Sequence, residues 1–223
     1  MIPLRSTERV HTAAAVTASL IAVNTVVFLY QATLSPYALN AFVAQWGLVP
    51  DERPFNMLSL FTSMFLHGGW LHLIGNMLYL WVFGRNIEDL IGGGKFLVFY
   101  LVCGLAAAVV HVLFNPFSRA PTIGASGAIA GVMGAYLIKF PRARIITLVI
   151  FIFFFTSMEI PAAVLLIFWF AMQFLSGFGS LGETDYSGGG TAWFAHIGGF
   201  LAGMLLIRLF PPRQRFRAWY EEE

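Results

Sequence analysis

The sequence predicts an all-α membrane protein in which six helices cross a lipid bilayer. Hydrophobic residues make up 58% of the chain and charged residues 11%, and the mean hydropathy is +0.76. A soluble core of this size could not bury so much apolar surface, whereas long apolar runs are typical of membrane spans. The formal net charge of +2 is too small to indicate a nucleic-acid partner. The six predicted spans are Thr12–Tyr30, Leu60–Phe83, Phe96–Phe114, Ser126–Phe140, Pro161–Gly177 and Ala192–Phe210.

The positions of the basic residues predict the orientation of these spans. If the N-terminus lies in the cytoplasm, 11 Lys and Arg residues fall inside and two, Arg53 and Arg119, fall outside, as the positive-inside rule requires. We therefore expect one six-helix membrane domain over residues 1–210 and a short basic cytoplasmic tail over 211–223. The compact architecture favours the plasma membrane of a prokaryote. The inside residues are Arg5, Arg9, Arg85, Lys95, Lys139, Arg142, Arg144, Arg208, Arg213, Arg215 and Arg217.

A further apolar run, Arg144–Met158, is not expected to cross the membrane. A seventh crossing there would place the basic tail outside, so we predict an interfacial or re-entrant segment, with Pro161 near the first turn of the fifth span. The segment Gly179–Gly190 contains five glycines and no Lys or Arg, which predicts a flexible external loop. The long segment Leu34–Ser59 is expected to be partly ordered against the membrane face.

The fourth span is short for a membrane helix. Its 15 residues extend about 22 Å, whereas the hydrocarbon core is about 30 Å thick. The preceding loop Asn115–Ala125 must then dip into the membrane, which is tolerated where backbone is buried in protein or lines a watery cavity. Ser126 is therefore predicted to lie at a helix N-terminus, below the membrane surface and facing water.

Ser126 and His196 are candidates for a nucleophile and its base. Polar side chains inside membrane spans are costly and indicate a functional site. Ser126 lies in GASGAIAG and His196 in AHIGG. A hydroxyl needs an adjacent base to be a useful nucleophile, and His is the usual one. The GxxxG pairs Gly127–Gly131 and Gly199–Gly203 could pack backbone to backbone, which would bring the two side chains to one depth.

His72 and Asn76 are candidates for hydrogen-bond donors in the same site. They lie four residues apart, so they share one helix face. A tetrahedral intermediate needs donors directed at its oxyanion, and both side chains can donate. The backbone N–H of Ser126, free at a helix N-terminus, could be a third donor.

Structural roles for the same residues remain open from the sequence alone. Ser126 could be a small packing residue, His196 could bond a carbonyl near the interface, and His72 and Asn76 could hold helices together. No Asp or Glu is placed to orient His196, so a Ser–His dyad is expected rather than a triad. A metal is not expected, because His67 and His72 point in different directions and HExxH is absent. His67 is expected to order the turn His67-Gly68-Gly69.

Taken together, these motifs resemble those of the rhomboid intramembrane serine proteases. The carriers are HGGWLHLIGNMLYLWVFG with His67, His72 and Asn76, then GASG with Ser126, then AHIGG with His196. Their order and spacing are similar to the family's from the first span to the sixth. The resemblance implies a six-helix rhomboid fold in which Ser126 is the nucleophile and His196 the general base and acid.

The resemblance also implies the remaining parts of the machinery. His72, Asn76 and the Ser126 amide would stabilise the oxyanion, and no cofactor would be needed. Substrates would be single-span membrane proteins, cleaved in or near the transmembrane segment, with small residues favoured at the cut. Glu88 resembles an acid that pins the loop after Leu34 to the second span.

The fifth span, Pro161–Gly177, resembles a lateral gate for substrate, which Phe153–Phe155 and Trp169 would line or cap. Ala130 departs from the pattern, because some bacterial relatives carry Tyr there beneath the catalytic His. The long first loop also lacks the Trp-Arg pair of some relatives. The alternative to a protease is a catalytically inactive rhomboid-like protein that binds or escorts membrane clients. A small transporter or channel would be expected to carry charged residues in mid-membrane and matching broken helices in its two halves, and the sequence shows neither feature.

Overall fold

A computed structural model describes residues 2–151, 154–179 and 192–213 of the chain. Within these ranges the chain is mostly helical, as predicted, with one small sheet. Short 3₁₀ turns lie at Ser63–Phe65 and Ile207–Leu209, and a π-helical segment spans Leu80–Gly84. The α-helices are α1 (Ala15–Thr33), α2 (Pro36–Trp46), α3 (Ser59–Thr62), α4 (Trp70–Tyr79), α5 (Arg85–Ile91), α6 (Gly93–Phe114), α7 (Ser126–Lys139), α8 (Ala162–Gly179) and α9 (Trp193–Leu206).

Helices occupy the positions of all six predicted spans. Three of them, α1, α6 and α8, are long and apolar enough to cross a membrane by length and composition. The helices α7 and α9 are apolar but shorter. The 14 residues of α7 extend about 21 Å, which agrees with the short fourth span that the sequence predicted.

The second predicted span is interrupted, and its start at Leu60 was wrong. A short helix α3 and a 3₁₀ turn end at Phe65, and the main helix begins only at Trp70. Gly69 before it is extended, with φ 163° and ψ 171°, so the backbone leaves the helical conformation here. From Trp70 the helix continues through α4, the π-helical segment and α5 to Ile91. A π-bulge often marks a functional region of a helix.

Close packing between α7 and α9 forms the centre of the bundle. Every residue of α7 from Gly127 to Tyr136 is buried, as expected for an apolar helix surrounded by protein. A Cβ at Gly199 would overlap the Gly127 carbonyl oxygen, and one at Gly203 would overlap the Gly131 carbonyl oxygen. Both GxxxG faces therefore meet backbone to backbone, and the shared four-residue step shows that the two helices are parallel.

A three-stranded antiparallel sheet replaces the interfacial or re-entrant segment predicted at Arg144–Met158. Strands β2 (Arg144–Phe151) and β3 (Phe154–Pro161) form a hairpin, and β1 (Ile2–Ser6) pairs with β2. The apolar run is rich in Ile, Val, Thr and Phe, which fit strands well. Ser6 Oγ lies 2.6 Å from Tyr136 Oη, so the sheet sits at the C-terminal end of α7, opposite Ser126. The predicted all-α fold is therefore correct for the helical bundle, but the sequence analysis did not predict this sheet.

Glu88 caps the first helix, and its predicted contact with the segment after Leu34 was wrong. Its carboxylate accepts hydrogen bonds from the Val16 N–H at 2.9 Å and from the Thr17 N–H and hydroxyl, each at 2.7 Å. Leu34 follows the other end of this 19-residue helix, about 28 Å away. An acid at a helix N-terminus satisfies free N–H groups and complements the helix dipole.

Removing this cap is expected to destabilise the bundle. Glu88 is 3% exposed, so Glu88→Ala would leave buried N–H donors of α1 without an acceptor, at a cost of about 1–3 kcal/mol. Thermal unfolding in detergent should show a lower midpoint for Glu88→Ala and a smaller decrease for Glu88→Gln, which keeps one acceptor oxygen. The exposed Glu159, on β3, provides a control in Glu159→Ala. Equal midpoints for Glu88→Ala and this control would contradict the capping role.

The first loop is ordered, and it packs on the segment that leads into Ser126. It contains α2, whose N-terminus is capped by the Ser35 hydroxyl. Leu48 and Thr122 exchange two backbone hydrogen bonds, of 3.0 and 2.8 Å. The Asp51 N–H donates to the Ser118 carbonyl at 3.0 Å. The loop therefore docks through backbone pairing, without the Trp-Arg pair of some relatives.

Candidate active site

Ser126 and His196 are in hydrogen-bond contact. Ser126 is the first residue of α7, and His196 lies in the first turn of α9. Because these helices run parallel with their glycines in register, both side chains reach the same level of the bundle. The distance from Ser126 Oγ to His196 Nε2 is 2.7 Å. This is the separation that general-base activation of a hydroxyl requires.

The surroundings of the pair are mostly apolar. His196 is 8% exposed and Ser126 is half-buried, so only the serine side of the pair remains accessible. The first turn of a helix leaves its N–H groups without intrahelical partners, and Ser126 occupies that turn. The hydroxyl therefore lies beside a free backbone donor and next to a ring that can accept its proton.

The second ring nitrogen of His196 contacts Gln173, which the sequence did not identify as a site residue. Gln173 is buried on α8, and its Oε1 lies 2.7 Å from His196 Nδ1. The only sequence signal was an amide within an otherwise apolar span. Among the described residues, the hydrogen-bond partners of the His196 ring are Gln173 and Ser126.

An aromatic ring of α8 also flanks the histidine. The centroids of the Trp169 and His196 rings are 5.7 Å apart, with an angle of 39° between the planes. Trp169 lies one helical turn before Gln173, so both side chains lie on the face of α8 that packs against α9. Ala130, at the position where some relatives carry Tyr, is fully buried within α7.

His72 and Asn76 lie beside the backbone that precedes Ser126. A Cβ at Gly124 would come within 2.8 Å of His72 Nε2 and 3.6 Å of Asn76 Nδ2. Gly124 also has φ +129°, so only glycine suits this position. His72 Nδ1 accepts from the Gly68 N–H at 3.4 Å, which leaves the proton on Nε2, the nitrogen that faces Gly124. The polar side chains thus border the same small region as the serine.

His67 holds Asn76 rather than entering the site itself. Its Nε2 lies 3.0 Å from Asn76 Nδ2, so it accepts one amide hydrogen and leaves the other available. The backbone of His67 is fixed by Gln31, whose amide accepts from the His67 N–H at 3.0 Å and donates to its carbonyl at 3.2 Å. The expected ordering of the turn at His67 therefore involves a second buried amide, on α1.

A small cavity of about 30 Å³ lies next to Ser126. Small side chains form most of its wall near the serine, and His111 and Thr122 provide its polar edge, with 2.8 Å between His111 Nε2 and Thr122 Oγ1. Such a cavity admits a small side chain and excludes a large one. The glycines and alanines of the wall are Gly104, Ala107, Ala108, Gly124, Gly127, Ala128, Ala192 and Ala195.

The structure does not place every predicted gate residue. Phe153 lies outside the described residues, and its neighbour Phe155 is exposed on β3, at the end of the bundle opposite Ser126. Trp169 does lie beside the site. Among the described residues, no group of three or more His, Cys, Asp and Glu side chains could hold a metal ion.

Comparison with known proteins agrees with this arrangement of motifs. The family description "Rhomboid domain" matches residues 54–213, which is more than half of the chain. The chain belongs to the rhomboid family. The match begins before the turn at His67 and ends after α9. The rhomboid domain therefore includes α4, α7, α8 and α9 and the contacts that these helices make with one another.

Individual relatives come from eukaryotes and bacteria. "Rhomboid protein 1, mitochondrial" of Saccharomyces cerevisiae is 29% identical over 170 residues, covering 74% of this chain and 45% of the relative. "RHOMBOID-like protein 6, mitochondrial" of Arabidopsis thaliana is 32% identical over 156 residues, covering 69% and 44%. "Rhomboid protease GluP" of Bacillus subtilis is 42% identical over 78 residues, covering 35% and 15%. The rhomboid chain thus spans less than half the length of these relatives.

Proposed function

We propose that this rhomboid is an intramembrane serine endopeptidase that cleaves single-span membrane proteins in or near their transmembrane segment. The observation that carries the proposal is the 2.7 Å contact between Ser126 Oγ and His196 Nε2 at the end of two buried helices. A serine that needed only to pack against a neighbouring helix would not require an imidazole acceptor. A buried histidine with a serine on one side and an amide on the other is instead arranged for proton transfer.

In the proposed reaction, Ser126 Oγ attacks the substrate carbonyl carbon while its proton passes to His196 Nε2. The carbonyl oxygen becomes an oxyanion, which His72 Nε2–H, an Asn76 amide hydrogen and the Ser126 N–H stabilise. His196 then gives the proton to the departing amine, and the peptide C–N bond breaks. Water then attacks the acyl carbon while His196 takes its proton, the ester bond to Ser126 Oγ breaks, and His196 returns the proton to Oγ as the second product leaves with a new carboxylate.

The depth of the proposed site in the membrane supports the proposed substrate class. The α7 helix extends about 21 Å, and with its Lys139 end at one surface Ser126 lies roughly 10 Å below the other. A transmembrane helix satisfies its own carbonyls, so a substrate must unwind before one can be attacked. The glycine and alanine wall of the cavity favours a small residue at the cut. Entry past α8 and Trp169 would bring an unwound segment to Ser126.

The proposed location is an integral position in a prokaryotic plasma membrane, with both termini cytoplasmic and the site open to the outside. The supporting observation is the distribution of 11 basic residues to one side and two to the other. In the structure, Arg119 and Arg53 lie in the segments next to Ser126, whereas Lys139 ends α7 at the opposite side.

The test of this function uses the purified full chain in liposomes with a model single-span protein. A protease should convert the substrate into two fragments whose new ends map within or near the membrane segment. The alternative, an inactive rhomboid that binds or escorts clients, would retain the substrate intact in a complex. Co-purification of uncut substrate with a wild-type protein that never produces fragments would favour that alternative.

Loss of one oxyanion donor is expected to slow cleavage without abolishing it. We expect His72→Ala or Asn76→Ala to lower kcat about 10²–10³-fold, because each removes one donor to the developing negative charge. Leu71→Ala, a change at an exposed residue on the same helix, is the control and should leave kcat unchanged. Wild-type kcat in both donor variants would rule out an oxyanion site at this position.

A further inference from the structure

The contact between Gln173 and His196 joins the proposed catalytic histidine to α8. We propose that Gln173 is a positioning residue that fixes the tautomer and orientation of the His196 ring. This inference rests on the proposed protease function and adds a third member to the predicted dyad. Gln173 is 8% exposed and belongs to a different helix from Ser126 and His196, so three helices would converge on one proton-transfer chain.

The hydrogen bonds of Gln173 define which of its atoms faces the histidine. Its Nε2 lies 3.4 Å from the Trp169 carbonyl oxygen, an acceptor that only the amide nitrogen can use. This places Oε1 toward His196, 2.7 Å from Nδ1. An amide oxygen can only accept, so His196 Nδ1 must carry the hydrogen. The neutral ring then has its lone pair on Nε2, directed at the Ser126 hydroxyl.

This tautomer is the one that a general base requires here. With the proton on Nε2 instead, His196 would donate to Ser126 and could not accept its proton. In soluble serine proteases a buried carboxylate enforces the same arrangement. A neutral amide can serve this purpose in a lipid environment, where a buried carboxylate would be much more costly to desolvate. When His196 becomes an imidazolium, its bond to Oε1 becomes charge-assisted and therefore stronger.

The position of Gln173 on α8 links orientation of the base to this helix. Trp169, one turn earlier, contacts the same ring, so α8 supplies both an acceptor and a flanking surface for His196. Displacement of α8 from α9 would lengthen the hydrogen bond between Gln173 Oε1 and His196 Nδ1 and release the imidazole ring. A substrate that enters past α8 would displace this helix, so α8 must return to α9 before His196 regains its orientation.

Kinetics of three variants test the acceptor role. Gln173→Met keeps the size of the side chain but removes the acceptor, and leaving a buried Nδ1–H unpaired should lower kcat about 10- to 100-fold with little change in KM. Gln173→Glu restores an acceptor, so it should recover activity relative to Gln173→Met. Its added charge favours the imidazolium, so the rise of kcat with pH should move to higher pH. Met172→Leu, an exposed neighbour on α8, should match the wild type.

Nitrogen NMR of the histidine rings provides a readout that does not depend on activity. In the wild type, the His196 signal, assigned by its absence in His196→Ala, should show a proton on Nδ1, and Gln173→Met should show a mixture of tautomers. Wild-type kcat in Gln173→Met, equal impairment of the Met and Glu variants, or a proton on Nε2 in the wild type would each overturn the inference. A wild-type protein that cleaves nothing would count against the protease function instead, and the NMR result would still decide the role of Gln173.

Discussion

Replacement of Ser126 by alanine is expected to abolish proteolysis while the protein stays folded. Removal of the hydroxyl eliminates the atom that forms the acyl-enzyme in the proposed reaction, and single losses of this kind reduce kcat by roughly 10⁴-fold or more. Cleavage of a single-span substrate in liposomes by Ser126→Ala should therefore fall to the background of protein-free liposomes. The side chain is small and half-buried, so the thermal unfolding midpoint should change little.

A matched serine elsewhere makes this result specific. Ser19 lies on α1, is exposed, and donates to the Ala15 carbonyl at 2.8 Å, so Ser19→Ala removes a membrane-helix hydroxyl that has no role in the site. Its cleavage rate should equal that of the wild type. If Ser126→Ala cleaved as fast as Ser19→Ala, the nucleophile would have to be another group and the proposed mechanism would be wrong.

A single methyl group between α7 and α9 is expected to have the second-largest effect. Gly199→Ala would place a Cβ on the Gly127 carbonyl oxygen, next to Ser126 and three residues after His196. The two helices would have to separate, and overpacking of this kind costs about 1–3 kcal/mol. The cleavage rate of Gly199→Ala should fall by more than its loss of folding stability explains, since a displacement of about 1 Å at a reacting pair can lower the rate by about 10²-fold.

This effect should depend on position and not on glycine replacement in general. Gly94, in the first turn of α6, has open space on its side-chain side, and an added methyl group would meet nothing within 4 Å, so Gly94→Ala should be neutral or slightly stabilising. Thermal unfolding and cleavage of both variants should be measured side by side. Unchanged activity in Gly199→Ala would show that the Ser126–His196 contact does not depend on the backbone approach of α7 and α9.

The central pairing of the site could be predicted because it depends on local patterns. The glycines at 127 and 131, and at 199 and 203, lie one turn apart, so each pair marks a face on which backbones can meet. Ser126 lies one residue before the first of these faces and His196 three residues before the second, so both side chains lie within one turn of the packed glycines. The i, i+4 spacing of His72 and Asn76 likewise fixes their shared helix face before any tertiary contact is known.

Features that depend on long-range packing could not be predicted in this way. Gln173 was visible as an amide in an apolar span, but which face of α8 meets α9 is decided only when the helices pack. In the sheet, Ile2 of β1 pairs with Leu148 of β2. Pairing between segments so far apart in the chain produces no local sequence periodicity that would predict it. Glu88 was assigned to the wrong end of α1, because a single buried acid does not reveal which N–H groups it will cap.

The most direct test of the catalytic pair is the reaction of the folded protein with a fluorophosphonate. If His196 activates Ser126, Ser126 Oγ attacks phosphorus, fluoride leaves, and the hydroxyl proton passes to His196. Mass spectrometry of the wild type should then place the phosphonyl group on Ser126, and labelling of His196→Ala should be slower by orders of magnitude. Folded wild-type protein that remains unlabelled, or labelling that proceeds equally fast without the imidazole, would contradict the claim that these two residues act together in catalysis.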